Sequence, residues 1–433
     1  MAGADAELTD LSVPSEAAVL DVLRRWLLAD LIYTSVNTML LAVNPCQLLP
    51  DLYSSTTLAR YLGSEPELPP HVFLTAARMH RGVLQGRCQS VVISGESGAG
   101  KTQSFKRVIQ FVSVATATEG GGGGDGGRSV EHQLVSTVQA LESLGNAATT
   151  HNPDSSRFGK FFMLHFSDRG ALHGVTMRTY LLEMTRVVHA APGERSFHVF
   201  YELMRGGDTA LLAECHLASL PPTRHVTTAS FEVNVPRDDA AQFAALRAAL
   251  DAAGIPPADA RELFKCVSAC LHTGALTFAT EGEATVVAAD SEAVLRRTAE
   301  LLGCDSEALR SALCWKRIKA GGEWVSSPNS PALALELCDG LAKALYGRVF
   351  DWVQRQVSSA LATSSSLPVG EHRPLAEAAP VFAGILDIFG FEVFERNSLE
   401  QVGTTRRPPP HPTLACTLRT DGCPCQQPPP IPH

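Results

Sequence analysis

Residues 90–102 read SVVISGESGAGKT, and few backbones suit that order of side chains. The run SVVISG is apolar and β-branched, which favours a buried central strand. Gly95, Gly98 and Gly100 follow within six positions, where the chain needs freedom to turn. A helical stretch begins at Lys101. The octet GESGAGKT (95–102) fits the phosphate-loop pattern G-x-x-x-x-G-K-[ST] in the strand–loop–helix context that its chemistry needs. In such a loop, successive backbone N–H groups curl around phosphate oxygens, helped by the positive helix N-terminus. Lys101 reaches the β- and γ-phosphates, and Thr102 ligates Mg²⁺. The pattern speaks strongly for a bound nucleotide and weakly for its use.

Other stretches alternate between strand and helix. Ser15–Asp30 repeats apolar residues at helical spacing, with Ser15 as N-cap. Thr38–Val43 (TMLLAV) reads as a short buried strand ended by Asn44-Pro45. Phe161–Ser167 and Leu172–Met177, split by Asp168-Arg169-Gly170, read as a β-hairpin. Residues 239–312 are Ala- and Leu-rich and largely helical, and Leu341, Leu345, Val349 and Trp352 mark one face of another helix. VFAGILDIFG (381–390) reads as a second buried strand ending in Asp387 and Gly390. This alternation implies an α/β core. Residues 120–127 (GGGGGDGG) read as a flexible surface loop. The segment from Gly403 has nine prolines in 31 residues and reads as disordered or polyproline-like, a solvated tail rather than a binding motif.

Bulk properties exclude several classes. At 433 residues and 45% hydrophobic, the chain has material for one large core or two to three smaller ones. A net charge of −9 and a pI near 5.9 exclude a global basic surface for nucleic acid. The start, MAGADAELTD, lacks the basic and apolar regions of a secretory signal, and no apolar run approaches the ~20 residues of a membrane helix. A reducing, cytosolic setting is expected. Cys46, Cys215, Cys314 and Cys338 then read as small hydrophobes. Cys266 and Cys270 share a helical face and Cys423 and Cys425 form a CPC, but neither pair completes a zinc site.

Two further constellations bear on phosphate chemistry. HNPDSSRFGKFF (151–162) sets two hydroxyls, a cation and a glycine in a row, although such a run alone is more often an ordinary loop. In the third, Asp387 at a strand end suits indirect support of Mg²⁺, Gly390 allows close approach of an N–H, and Glu392 follows. A core strand with polar ends explains that group equally well by itself. Jointly, the three resemble the myosin motor head: GESGAGKT is its phosphate loop, SSRFGKFF its switch I and LDIFGFEVFERNSLEQ its switch II. DLSVPSEAAVLDVLRRWLLADLIYTSVNTMLLAVNP looks like the family's opening. YLLEMTRVV, GERSFHVFYELM and DGLAKALYGRVFDW resemble further blocks, so the likeness runs from about residue 7 to Gln401.

The resemblance implies an α/β, P-loop NTPase-type mixed central sheet flanked by helices, with a large, mainly helical upper subdomain that faces actin. It implies a partial motor domain over 1–401: phosphate loop 95–102, loop 1 near 117–129, switch I 151–160, upper subdomain about 200–375 and switch II 386–392. A Pro-rich, non-family segment follows at 402–433. ATP and Mg²⁺ are the implied cofactors. Gly95, Glu96, Ser97, Gly98, Ala99, Gly100, Lys101 and Thr102 hold phosphates, while Asn44, Pro45 and Tyr53 line the adenine. Asn152 contacts nucleotide, Ser155 places the lytic water, and Ser156 is a second metal ligand. Asp387 supports the metal through water, and the Gly390 N–H meets the γ-phosphate. Arg157 and Glu392 form the salt bridge that shuts the site.

Actin filaments are the implied partner, at the cytoplasmic actin cytoskeleton, with no nucleic acid and no membrane span. No light chains are expected, because relay, converter and lever arm are missing after Gln401. The implied function is actin-coupled hydrolysis of Mg-ATP in a fragment non-motile alone; a non-motile tether or dominant-negative binder with little turnover is the alternative. A phosphate-loop kinase explains none of the matches at 145–201 and 381–401. Four positions depart from the family pattern or vary within it. Pro153 stiffens switch I, Asp154 puts a carboxylate where the family has Asn, Ala148 replaces a Lys, and Glu323 stands where some relatives carry a phosphorylatable hydroxyl. The sheet is expected to be incomplete, with an open edge.

Overall fold

The computed structural model describes residues 8, 15–63, 67–96, 98–119, 126–150, 152–166, 170, 172–233, 235–320, 323–363, 381–388 and 415–422. It falls into two units, Met1–Val135 with Phe158–Leu181 and Ser358–His433, and Ser136–Arg157 with Leu182–Val357.

The β-branched runs of the first unit build one mixed sheet. Its strands are β1 (Tyr33–Val36), β2 (Met39–Val43), β3 (Gln89–Gly95), β4 (Gly159–Phe166), β5 (Leu172–Tyr180), β6 (Phe382–Asp387) and β7 (Ala415–Gly422). They lie in the order β1-β2-β7-β3-β6-β4-β5. Only β3 and β6 are parallel, with Asp387 beside Ile93; the other neighbours are antiparallel. The sequence hairpin is β4–β5, with a register shift at His165/Phe166. Alternation along β3 leaves Val91 and Ile93 fully buried and Val92 38% exposed.

Helices flank this sheet. Ser15 caps Glu16–Leu28 by accepting from the Ala18 N–H at 3.2 Å. Lys101–Glu119 begins at the end of the glycine loop and packs against Val72–Leu84 and β3, β5 and β6. It buries Phe105, Val108, Ile109, Phe111, Val112 and Ala115, and Phe105 stacks on Phe162 of β4 at 4.3 Å. Each large apolar side chain so buried contributes about 1.5–3 kcal/mol relative to exposure. The glycine-rich stretch is shorter than its composition suggests, since Gly126 and Gly127 already open the helix Gly126–Gly145; residues 120–125 lie outside the described residues.

One expectation fails in part. The Pro-rich segment from 403 contributes β7, and β7 sits inside the sheet between β2 and β3, paired on both edges. The sequence suggested an incomplete sheet with an open edge; β7 fills the place between β2 and β3. The reason is local composition: residues 413–423 contain no proline, so the backbone there keeps every donor a central strand needs. The remainder of 402–433 lies outside the described residues.

The second unit is mainly helical. Residues 239–312 form Asp239–Ala252, Pro257–Gly274, Glu292–Leu302 and Ser306–Cys314. They are interrupted by a small hairpin, Phe278–Glu281 with Ala284–Val287, which the composition hid. A second hairpin pairs Trp315–Ala320 with Glu323–Pro328. The long helix Pro331–Thr363 buries Cys338, Ala342, Tyr346, Phe350, Val353 and Val357. That stripe lies beside the face read from the sequence, of which Val349 is buried while Leu341, Leu345 and Trp352 are only partly so. Tyr346 stacks on Phe197 at 5.0 Å and donates to the Leu144 carbonyl at 2.6 Å. Cys215, Cys314 and Cys338 are buried as expected; Cys46 is exposed in the turn after Asn44-Pro45, with a φ of 52°.

Candidate functional site

In the first unit the phosphate-loop residues leave β3 and turn at Gly98 (φ 82°) and Gly100 (φ 93°), values that disfavour any residue with a Cβ. Ala99 is buried and donates from its N–H to the Glu96 carbonyl at 3.1 Å. Lys101 opens the helix and folds back over the loop. Its Nζ donates to the Gly95 carbonyl at 2.7 Å and the Glu96 carbonyl at 2.8 Å. Thr102 follows in the first helical turn, partly buried. Ser97 lies outside the described residues.

Asn44 is brought to the same loop from the end of β2. Its Nδ2 donates to the Gly98 carbonyl at 2.7 Å, and its Oδ1 accepts from the Cys46 N–H at 3.0 Å across Pro45. This closes an Asx-type turn that fixes the segment. Tyr53 shares a hydrogen bond with the Tyr33 hydroxyl at 2.8 Å, and the Arg107 guanidinium covers its ring at 4.1 Å. Burial pushes the Tyr53 hydroxyl's pKa up against the opposing pull of Tyr33 and Arg107, so the group stays neutral. Asp387 ends β6 at the carboxyl end of the parallel pair and is 5% exposed. Its register partner on β4 is Lys160, also buried, whose ammonium lies 5.2 Å from the Phe158 ring centre. Gly390 and Glu392 lie outside the described residues.

Of the segment assigned to switch I, the second unit holds Asn152–Arg157. Asn152, Pro153 and Asp154 form another Asx turn: Asn152 Oδ1 accepts from the Asp154 N–H at 3.0 Å. The Asn152 N–H donates to Thr149 Oγ1 at 3.1 Å. The Asp154 carboxylate accepts from Asn146 Nδ2 at 2.9 Å and pairs with His198 Nε2 at 3.2 Å, with Arg237 at 3.9 Å. Partial desolvation pushes its pKa up, but His198, Asn146 and Arg237 outweigh that and hold the half-exposed carboxyl well below the usual range. Asp154 is therefore spent on neighbours within its own unit. Ala148 is buried, and its carbonyl accepts from the Arg195 N–H at 2.9 Å.

Ser155 and Ser156 pair with Ala147 and Asn146 in a two-residue ladder. Ser155 is 1% exposed, and its hydroxyl accepts from Arg157 Nη1 at 3.0 Å. Arg157 also donates from Nε to Glu183 at 2.5 Å. Glu183 in turn accepts from Arg186 Nε at 2.8 Å, and Arg186 reaches Glu194 at 2.9 Å. Burial raises the Glu183 pKa, while the Arg186 and Arg157 charges lower it by more, and the net direction is down. Two arginines and two glutamates thus form a buried, alternating charge chain behind Ser155. Sequence spacing gave no hint of Glu183 or Glu194 in this role, since Glu183 is 26 residues from Arg157.

Strand, glycine loop and lysine-bearing helix at the carboxyl end of a mixed sheet define an α/β protein. The sequence profile of the myosin head (motor domain) family matches residues 5–404, and the chain belongs to that family. It is 37% identical over 395 residues to unconventional myosin IC of Drosophila melanogaster, covering 89% of this chain and 36% of that protein. It is 33% identical over 403 residues to myosin-3 of Caenorhabditis briggsae, covering 92% and 20%. With myosin-11 of Arabidopsis thaliana it shares 37% over 410 residues, covering 92% and 25%. The chain therefore spans about a fifth to a little over a third of the length of these relatives. No helix among the described residues is long and apolar enough to cross a membrane, and no cluster of three or more His, Cys, Asp or Glu among them suits a metal ion.

Proposed function

We propose that this chain binds Mg-ATP through residues 95–102 and hydrolyses it, with an actin filament as its partner. The observation that carries the reading is the lysine-bearing glycine loop at the carboxyl end of β3, with the buried Asp387 ending the parallel neighbour β6. Ligands of open α/β sheets gather at that end of the strands. The oxygen donors there, the Thr102 hydroxyl and the Asp387 carboxylate, are of the kind Mg²⁺ takes. Bound, the metal neutralises charge on the β- and γ-phosphates. Loop N–H groups hold phosphate oxygens, and Lys101 exchanges its two carbonyl contacts for them. Asn44, Pro45 and Tyr53 serve the base. Asn152, Ser155, Ser156, Arg157, Gly390 and Glu392 take their switch roles from the family pattern.

The actin assignment is supported by the hairpin Trp315–Ala320/Glu323–Pro328. It exposes Trp315 (42%), Ile318 (44%), Trp324 (62%) and Val325 (47%) among Lys316, Arg317, Lys319 and Glu323. Apolar side chains gathered in this way mark a partner surface. A second reading, an ATP-dependent tether with little turnover, is favoured by the Asx turn around Pro153 and the pairing of Asp154 with His198, which stiffen a segment that hydrolysis requires to move. Rapid Mg²⁺-dependent phosphate release selects the first reading; ATP binding and actin co-sedimentation without release select the second. The test common to both is titration with a fluorescent ATP analogue and Mg²⁺. Lys101→Ala is expected to weaken binding about a hundredfold, equivalent to about 3 kcal/mol. Equal affinity for both proteins overturns the assignment.

A further inference from the structure

β2 and β3 are not paired with each other. β7 joins them, with Ala415–Arg419 facing Val43–Met39 on one edge and Cys416–Gly422 facing Gly95–Gln89 on the other. Among the described residues, removing β7 divides the sheet into a two-stranded piece, β1–β2, and a four-stranded piece, β3-β6-β4-β5. The strand comes from beyond the family match, which ends at residue 404. Prolines stand at 408–410, 412, 424, 428–430 and 432, and the window from 413 to 423 is the longest stretch without one between 403 and 433. A strand bonded on both edges excludes proline, which lacks the N–H and is confined to edges and bulges. The one window able to be a central strand is the one that forms it.

Its register has a consequence for the loop. Cys416 lies opposite Gly95, where the phosphate-loop octet begins. Ala415 lies opposite Val43, one residue before Asn44, whose amide donates to the Gly98 carbonyl at 2.7 Å. One end of β7 thus borders both segments that shape the loop.

We propose that residues 415–422 are a strand clamp. They hold β2 and β3 in register, fix Asn44 against the phosphate loop, and occupy a slot that takes a proline-free extended peptide of the same sequence in trans. Main-chain ladders on two edges supply the binding energy of such an added strand. The clamp's effect on nucleotide affinity rests on reading residues 95–102 as the nucleotide loop; the strand pairing does not.

The test uses the full 433-residue chain and hydrogen-exchange mass spectrometry. Leu418→Pro, in mid-strand, is expected to lower protection of Met39–Val43 and Gln89–Gly95 at least about tenfold and to weaken binding of a fluorescent Mg-ATP analogue about tenfold. Thr413→Pro, before the strand, is expected to do neither. A synthetic peptide of residues 413–423 in excess is expected to restore both in Leu418→Pro. If Leu418→Pro does not fold, Ala42→Cys decides. Position 42 is the direct register partner of Cys416, within reach of a disulfide, and mild oxidation is expected to link the two in a peptide map. Native protection in Leu418→Pro, or no link between position 42 and Cys416, overturns the clamp. Lost protection with unchanged nucleotide affinity overturns its coupling to the loop. Lost and peptide-restored protection in a chain that binds no ATP analogue supports the clamp and overturns the nucleotide reading instead.

Discussion

Replacing Glu183 with Gln leaves two buried guanidinium groups facing a neutral amide. In the native chain the Glu183 carboxylate accepts from Arg157 at 2.5 Å and Arg186 at 2.8 Å, and both arginine side chains are 4% exposed. Breaking a buried pair by removing one partner costs about 3–5 kcal/mol, because the remaining charge stays desolvated. Gln keeps one acceptor oxygen, and Arg186 keeps Glu194, so the lower end of that range applies, about 3 kcal/mol. At about 1.4 kcal/mol per tenfold, the folded-to-unfolded ratio falls by about a hundred. The assay is urea unfolding followed by circular dichroism. With a slope of about 3 kcal/mol per M, the midpoint of the transition that melts this unit drops by about 1 M. A loss below about 1 kcal/mol, the range of exposed pairs, refutes the reasoning. The pH dependence adds a second check. The folded pKa of Glu183 is depressed, so its stabilisation is fully present above the ordinary carboxylate pKa and fades as pH falls toward the folded value. The gap between native chain and variant is therefore expected to narrow on acidification.

Other substitutions probe separate parts of the chain. Asp154→Asn removes the partner of His198, but the carboxylate is 50% exposed, so the loss is expected to stay under about 1 kcal/mol. Its depressed pKa places that contribution at neutral pH and removes it as the solution is acidified below the carboxylate range; parallel stability–pH curves for the two proteins count against the pairing. Gly384→Ala sets a Cβ 2.8 Å from two ring atoms of Phe161. Overpacking of this kind lowers stability by about 1–3 kcal/mol, read as a fall in Tm, and an unchanged Tm shows that the ring moves aside freely.

How much of this was legible in the sequence depended on how local each cause was. The strand, glycine loop and helix at 89–119 follow from residue type alone, because β-branched side chains, left-handed turns and helical period act over a few residues. The β4–β5 hairpin was legible for the same reason. The two small hairpins of the second unit were missed since their strands are short and half-exposed, and polar residues there break the alternation. β7 is hidden by the average proline content of the 31 residues from Gly403, whereas the backbone responds to each position. The charge chain Arg157–Glu183–Arg186–Glu194 was invisible because it is assembled by tertiary packing. Asp154 shows both sides: its departure from the family residue is local and stands in the sequence, whereas its partner His198 lies 44 residues away and is brought to it by folding.

Lys101 resting on the carbonyls of Gly95 and Glu96 makes the loop its own first guest. On the function proposed above, an arriving polyanion would meet an ammonium already held over the loop by hydrogen bonds, so the turn is braced before the ligand comes. On the same reading the occupancy would weaken the hold on small anions, because a lone sulfate would have to compete with the Gly95 and Glu96 carbonyls for the amine, whereas a longer ligand that engages the neighbouring N–H groups as well would be better equipped to displace them.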